Sequence, residues 1–103
     1  MAKKIIWTPS AQEWLQDIFD FISLDNEAAA VKTVQGIKDK ADLLLITPNI
    51  GYRHERDELL DDVMIILYGH YRIAYFISDN EDIFILGVFH GSLDIRKHLS
   101  RYE

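Results

Sequence analysis

Few side chains in this sequence could do chemistry, and their spacing narrows what they could do. Four histidines, His54, His70, His90 and His98, are scattered along the chain. No two of them fall at a metal-ligand spacing on one expected element, so no metal site is expected. His90 closes the apolar run "ILGVFH" and is followed by Gly91. A histidine in that place reads as a structural residue bonded to backbone, ending a strand, rather than as a catalyst. The serines lack a partner pattern for nucleophilic attack, and no glycine-rich phosphate loop is present. There is no cysteine, which excludes disulfides and thiolate metal sites and fits a reducing cytoplasm. No cofactor is expected.

Charge is more suggestive. The formal net charge is -6, and the basic stripe of a general nucleic-acid binder is missing, so direct nucleic-acid binding is not expected. The acidic run "DELLDD" reads as a solvated loop or as an attractor of a basic partner. The tail "RKHLSRY" is the one cationic concentration, with Arg96, Lys97 and Arg101. It reads equally as a frayed terminus or a basic patch. Trp7, Trp14, Tyr68, Tyr71 and Tyr75 are of the types that anchor interfaces; for most of them core packing is the simpler role.

The elements that must position these residues follow from periodicity. At 103 residues, a single domain over residues 1–103 with one modest core is expected. No apolar run approaches the roughly 20 residues that cross a bilayer, so no membrane is involved. "KKIIW" reads as a first strand. Ser10 and Glu13 have capping-box spacing, and Trp14, Ile18, Phe21 and Ile22 recur as one buried stripe of a first helix. "LDN" breaks it, with Asp25 or Asn26 as the next cap. A second helix runs through "EAAAVKTVQGIKDKADLLLIT" with Ala30, Val34, Ile37, Ala41 and Leu44 on one side, until Pro48 stops it. Gly36 lowers helix propensity there by about 1 kcal/mol, and would let another helix come close. The two form an antiparallel helical hairpin.

After Pro48 the period changes. "NIGYRHERDELLDD" reads as a loop or exposed edge; "VMIILY", "YRIAYFI" and "IFILGVFH" read as strands. Gly69-His70 makes a tight hairpin with glycine at positive φ, and "SDNED" makes the second turn. Neither face of the middle strand is clearly wet, which makes it central. "SLDIRKHLSRYE" is a short helix or a tail. The fold class is α+β: an N-terminal strand, an antiparallel helical hairpin, then a three-stranded antiparallel meander packed against it.

That order, carried by "IIWTPSAQEWLQDIFDFI", by the second helix closing in Pro48, Gly51 and Arg53, by "YGHYRIAYFI" and by "IFILGVFHGSLD", resembles the RelE/ParE superfamily of bacterial toxin–antitoxin toxins. The ParE branch is the nearer, and the resemblance covers nearly the whole chain. It implies a toxin neutralised by a cognate, ParD-like antitoxin, with a higher-order toxin–antitoxin oligomer possible. ParE-like members are associated with poisoning DNA gyrase, and RelE-like relatives cut messenger RNA on the ribosome. On the gyrase reading the protein is no enzyme: it acts by contact, through Arg96, Lys97 and Arg101 and the exposed side of the helical hairpin. Trp14, Ile18, Tyr68 and Tyr71 would meet the antitoxin.

The ribonuclease alternative needs a base, cations for the phosphate and an acid, and its candidates are Arg53, Arg72, His90 and Tyr102. Two departures weigh against it. Many relatives carry an arginine shortly after the last-strand histidine, where "HGSLD" has Leu93, and another entering the second sheet strand, where this chain has "DDVMIIL". A third alternative is a non-toxic member that keeps only antitoxin binding or regulation.

Overall fold

In the computed structural model, which describes residues 4–53 and 62–91, Ile5 and Ile6 form with Trp7 a short strand, β1 (Ile5–Trp7). Two residues later the chain turns into helix α1 (Pro9–Ser23). The start differs from the expected capping box. Thr8 is the cap, its Oγ1 accepting from the Ala11 N–H at 3.1 Å, and Pro9 takes the first helical position, where its missing N–H is harmless. Ser10 and Glu13 therefore lie inside the helix. The Thr8 hydroxyl also donates to the Ile85 carbonyl at 2.8 Å, so one buried side chain both begins the helix and pins it to a strand far along the chain.

Helix α2 (Glu27–Asp42) starts at Asn26, whose Oδ1 accepts from the Ala29 N–H at 3.0 Å. It ends earlier than Pro48 suggested. The chain tightens at Leu43–Leu45 into a 3-10 turn that carries buried Leu44 toward the core. The expected stripe of α2 holds: Ala30, Ile37, Ala41 and Leu44 are fully buried, and Val34 packs beside them. That of α1 holds at Trp14 and Ile18, while Ile22 is half-buried and Phe21 falls outside it. The inward face is Ala11, Trp14, Leu15 and Ile18, whereas Phe21 is 77% exposed. At 3.6 residues per turn it lies on one flank of the stripe, beside Ile18 and well around from Leu15, near the end of the helix.

Among the described residues five strands form one mixed sheet: β1, then β2 (Tyr52–Arg53), β3 (Met64–Tyr68), β4 (Tyr71–Ile77) and β5 (Ile83–His90), in the order β1-β5-β4-β3-β2. The last three make the expected antiparallel meander with β4 in the centre. Gly69 turns the first hairpin at φ +57°. In the second turn the left-handed residue is Glu81, at φ 67°, held by the Glu81 N–H to Ser78 carbonyl bond and by the Ser78 hydroxyl accepting from the Asp82 N–H. β1 runs parallel to β5 at one edge, and two-residue β2 forms the other.

A bulge in β5 sets which side chains face the helices. Ala74 pairs with Gly87 but Tyr75 pairs with Ile85, so Leu86 is an extra residue. Val88 thereby joins Ile83 and Ile85 on the helix side, while Leu86 and Phe89 join Ala74 and Ile65 on the other. β1 reaches only to Ile85, and beyond it α1 runs past the edge of β5, where Trp14 meets Phe89 edge-on at 4.7 Å between ring centres. Covering a strand edge with a helix protects it from unwanted pairing.

What approaches Gly36 is not another helix. A Cβ there would overlap the Tyr68 phenol, so the missing side chain is the seat of a ring from β3. Gly51 is similarly confined: a Cβ would lie 2.6 Å from the Tyr75 hydroxyl and 2.7 Å from the Ile65 carbonyl.

Candidate protein-docking site

The flanks of α1 and α2 diverge above their buried stripes and leave a groove of about 470 Å³. Its apolar floor is Leu15, Phe19 and Val34, with Trp7 at one end; Gln12, Gln16 and Lys38 form a polar rim. The rim is held in place. The Gln12 side-chain amide donates to the Trp7 carbonyl at 2.9 Å, and that of Gln16 donates to Asp20 Oδ1 at 2.9 Å. An apolar trough with a polar border is the shape that receives the apolar face of an amphipathic helix.

A second surface lies at the opposite edge of the sheet. β2 pairs only Tyr52 with Ile65 and Arg53 with Met64, so among the described residues the outer edge of β3 from Ile66 to Tyr68 has no strand beside it. Lys40, Ile50, Tyr52 and Leu67 surround a recess of about 220 Å³ there. Ile46, Ile50, Tyr52 and Leu67 are all exposed although large and apolar. An open edge flanked by apolar side chains is a template for strand addition.

The expected site residues are distributed as follows. Trp14, Ile18, Tyr68 and Tyr71 are each partly buried and packed against the core, so a partner would meet only their outward edges. Tyr68 is further committed to the space above Gly36. His90 ends β5 and is exposed. Its ring lies edge-on to Tyr71 at 5.9 Å and 6.3 Å from His70, and the Gly91 N–H donates to the His70 carbonyl. Arg72 pairs in register with Phe89, and Tyr71 with His90. Successive residues on a strand point to opposite faces, so Arg72 and His90 do not converge. Arg53 ends β2 opposite Met64. Arg96, Lys97, Arg101 and Tyr102 lie outside the described residues, as does the acidic run up to Asp61. Among the described residues no group of three or more potential metal ligands gathers, and no helix is long and apolar enough to cross a membrane.

Tyr75 carries a second buried hydroxyl, besides that of Thr8. Its hydroxyl donates to the Pro48 carbonyl at 2.8 Å and accepts from the Gly51 N–H at 3.1 Å. Burial pushes its pKa above the ordinary 10.0, against the opposing pull of the Gly51 bond. Residues that sequence reasoning passed over are those of the groove flanks and of the β3 edge: Gln12, Gln16, Phe19, Lys38, Ile50, Tyr52 and Leu67. Ile50 and Tyr52 did carry a signal, being large apolar residues in an otherwise polar stretch.

A hairpin of helices on a mixed sheet, with an apolar groove and an open strand edge among the described residues, is matched by family and by fold. The family model for the ParE toxin of the type II toxin–antitoxin system parDE matches residues 5–95, and the chain belongs to that family. The fold is similar to that in the chromosomal ParDE toxin–antitoxin system from P. aeruginosa, with a TM-score of 0.71 at 22% identity, covering 87% of this chain and 96% of that one. It is also similar to a chain of the toxin–antitoxin complex RelBE2 from Mycobacterium tuberculosis, with a TM-score of 0.57 at 25% identity, covering 87% and 99%. No curated protein sequence matches the chain.

Proposed function

We propose that this chain is a toxin that inhibits DNA gyrase by protein–protein contact and is neutralised by a cognate antitoxin, both acting in the cytoplasm. Membership of the ParE toxin family carries this reading. The antitoxin would lay an amphipathic helix in the α1–α2 groove, over Leu15, Phe19 and Val34, and an extended segment along β3 beside Tyr52 and Leu67. Two such contacts on one chain reinforce each other, because the second is made at high effective concentration. The separation of Arg72 and His90 onto opposite faces supports contact over RNA cleavage.

The test is DNA supercoiling by purified gyrase with the chain added, alone and with antitoxin. Inhibition that antitoxin reverses is the expected result. No inhibition at large molar excess of folded protein sinks the gyrase reading and leaves messenger RNA cleavage or a toxin without activity.

A further inference from the structure

One surface is used neither by the core nor by the groove or the β3 edge. On α1, Glu13, Asp17, Asp20, Phe21 and Leu24 follow helical spacing, the last keeping helical backbone as the C-cap. They form a ridge pointing away from the buried side of the helix. Leu24 and Phe21 are the most exposed large apolar residues described, at 87% and 77%.

Two local rules are broken at the same place. Scattered single apolar residues on a surface are ordinary, but here two large ones are neighbours at a three-residue interval, almost wholly in water. The negative end of the helix dipole favours lysine or arginine in the last turn, yet α1 has no basic residue there and carries Asp20, with Asp25 just beyond. Between positions 5 and 31 the chain has Glu13, Asp17, Asp20, Asp25 and Glu27 and no lysine or arginine. Places where local stability rules fail together are where function is expected.

We infer that the Asp17–Asp20–Phe21–Leu24 ridge of α1 is the surface that contacts gyrase; the inference rests on the gyrase reading above. The occupant follows from charge. An enzyme that handles DNA presents cationic surfaces to phosphate, and an acidic ridge on a chain of net charge -6 is complementary to them. Phe21 and Leu24 supply the apolar anchors that charge alone lacks. The Gln16–Asp20 hydrogen bond joins the groove rim to the near border of the ridge, whereas Phe21 and Leu24 lie on the other flank of α1.

The experiment is gyrase supercoiling at increasing salt with the wild-type chain, F21S/L24S and D17K/D20K, each checked for helix content and thermal midpoint. Both variants should keep the wild-type fold and require at least about tenfold more protein for half-inhibition. Wild-type inhibition should weaken as salt rises. Equal inhibition by wild type and both variants overturns the ridge while leaving the gyrase reading intact. Loss of inhibition that follows a lower thermal midpoint also overturns it, because the residues then act on the fold. If the wild-type chain itself does not inhibit, the gyrase reading fails and the ridge assignment falls with it.

Discussion

The hydroxyl of Tyr75, a residue of the central strand, donates to the carbonyl of Pro48 at 2.8 Å and so ties the exit of the helical hairpin to β4. The same oxygen accepts from the Gly51 N–H, and one phenol thereby serves two backbone groups 24 and 27 residues away. Replacing Tyr75 with Phe removes the partner of both groups at once. Leaving a buried polar group unsatisfied costs about 1–3 kcal/mol, and the expected loss in urea denaturation is of that size. A change too small to resolve would mean that the Pro48–Gly51 turn is held by other contacts.

The same phenol predicts a pH dependence. Burial raises its pKa in the folded state above the ordinary 10.0. Above about pH 10 the unfolded chain therefore holds fewer protons at this group than the folded one, and stability falls with rising pH. The contribution is complete below pH 10 and is lost as pH climbs through the folded pKa. Denaturation midpoints measured from pH 8 to 11 should decline more steeply for wild type than for Tyr75→Phe. Parallel curves would contradict the sign argued here.

Gly36 and Tyr68 should be coupled. A Cβ at Gly36 meets only the far end of the Tyr68 side chain. Gly36→Ala alone should destabilise by about 1–3 kcal/mol through overpacking. In a Tyr68→Ala background the same change should be neutral, or stabilising by up to about 1 kcal/mol from helix propensity. A double-mutant cycle reads this difference directly. Additive effects would show that the ring moves aside freely.

Thr8 carries two bonds, one to each of its neighbouring elements. Thr8→Ala should cost about 1–2 kcal/mol from the lost cap and more from the bond to Ile85, whereas Thr8→Ser keeps both and should lie close to wild type. Thermal unfolding of the pair is the check, and equal losses in Ser and Ala would assign the effect to the Thr8 methyl instead.

At the β3 edge, Tyr52 and Leu67 are 51% and 53% exposed, so Tyr52→Lys and Leu67→Lys should leave the thermal midpoint nearly unchanged. If an antitoxin segment lies there, the double variant should bind antitoxin at least about tenfold more weakly in titration calorimetry. Undiminished binding would remove this edge from the docking surface.

How much of this was legible depends on whether local pattern or distant packing decides. The strands at 71–77 and 83–90 could be read because β-branched and aromatic runs end abruptly at Gly69-His70 and at Ser78–Asp82. The α2 stripe was legible because four of its members are fully buried. The start of α1 was misread because Ser10 and Glu13 imitate a capping box, whereas the Thr8-Pro9 signal preceding them is shorter and stronger. Phe21 was misplaced because periodicity identifies apolar residues near a stripe without saying where a helix leaves its support. Strand β2 has two residues and exists through its pairing with Ile65 and Met64, which no local pattern encodes. The groove was hidden for a related reason: it is made by flanks of two helices whose separation is set by the sheet beneath them. The cationic tail, singled out by its charge, falls outside the described residues.

The parallel pairing of β1 with β5 has a consequence for synthesis. Of the described strands, the first in the chain sits at a sheet edge beside the last, with Ile5 beside Ile83 and Trp7 beside Ile85. A growing chain on the ribosome therefore carries its first strand without a mate until β5 has emerged. Closure of so long a loop is slow relative to local hairpin formation. The meander of β3, β4 and β5 can therefore assemble before the sheet gains its parallel edge.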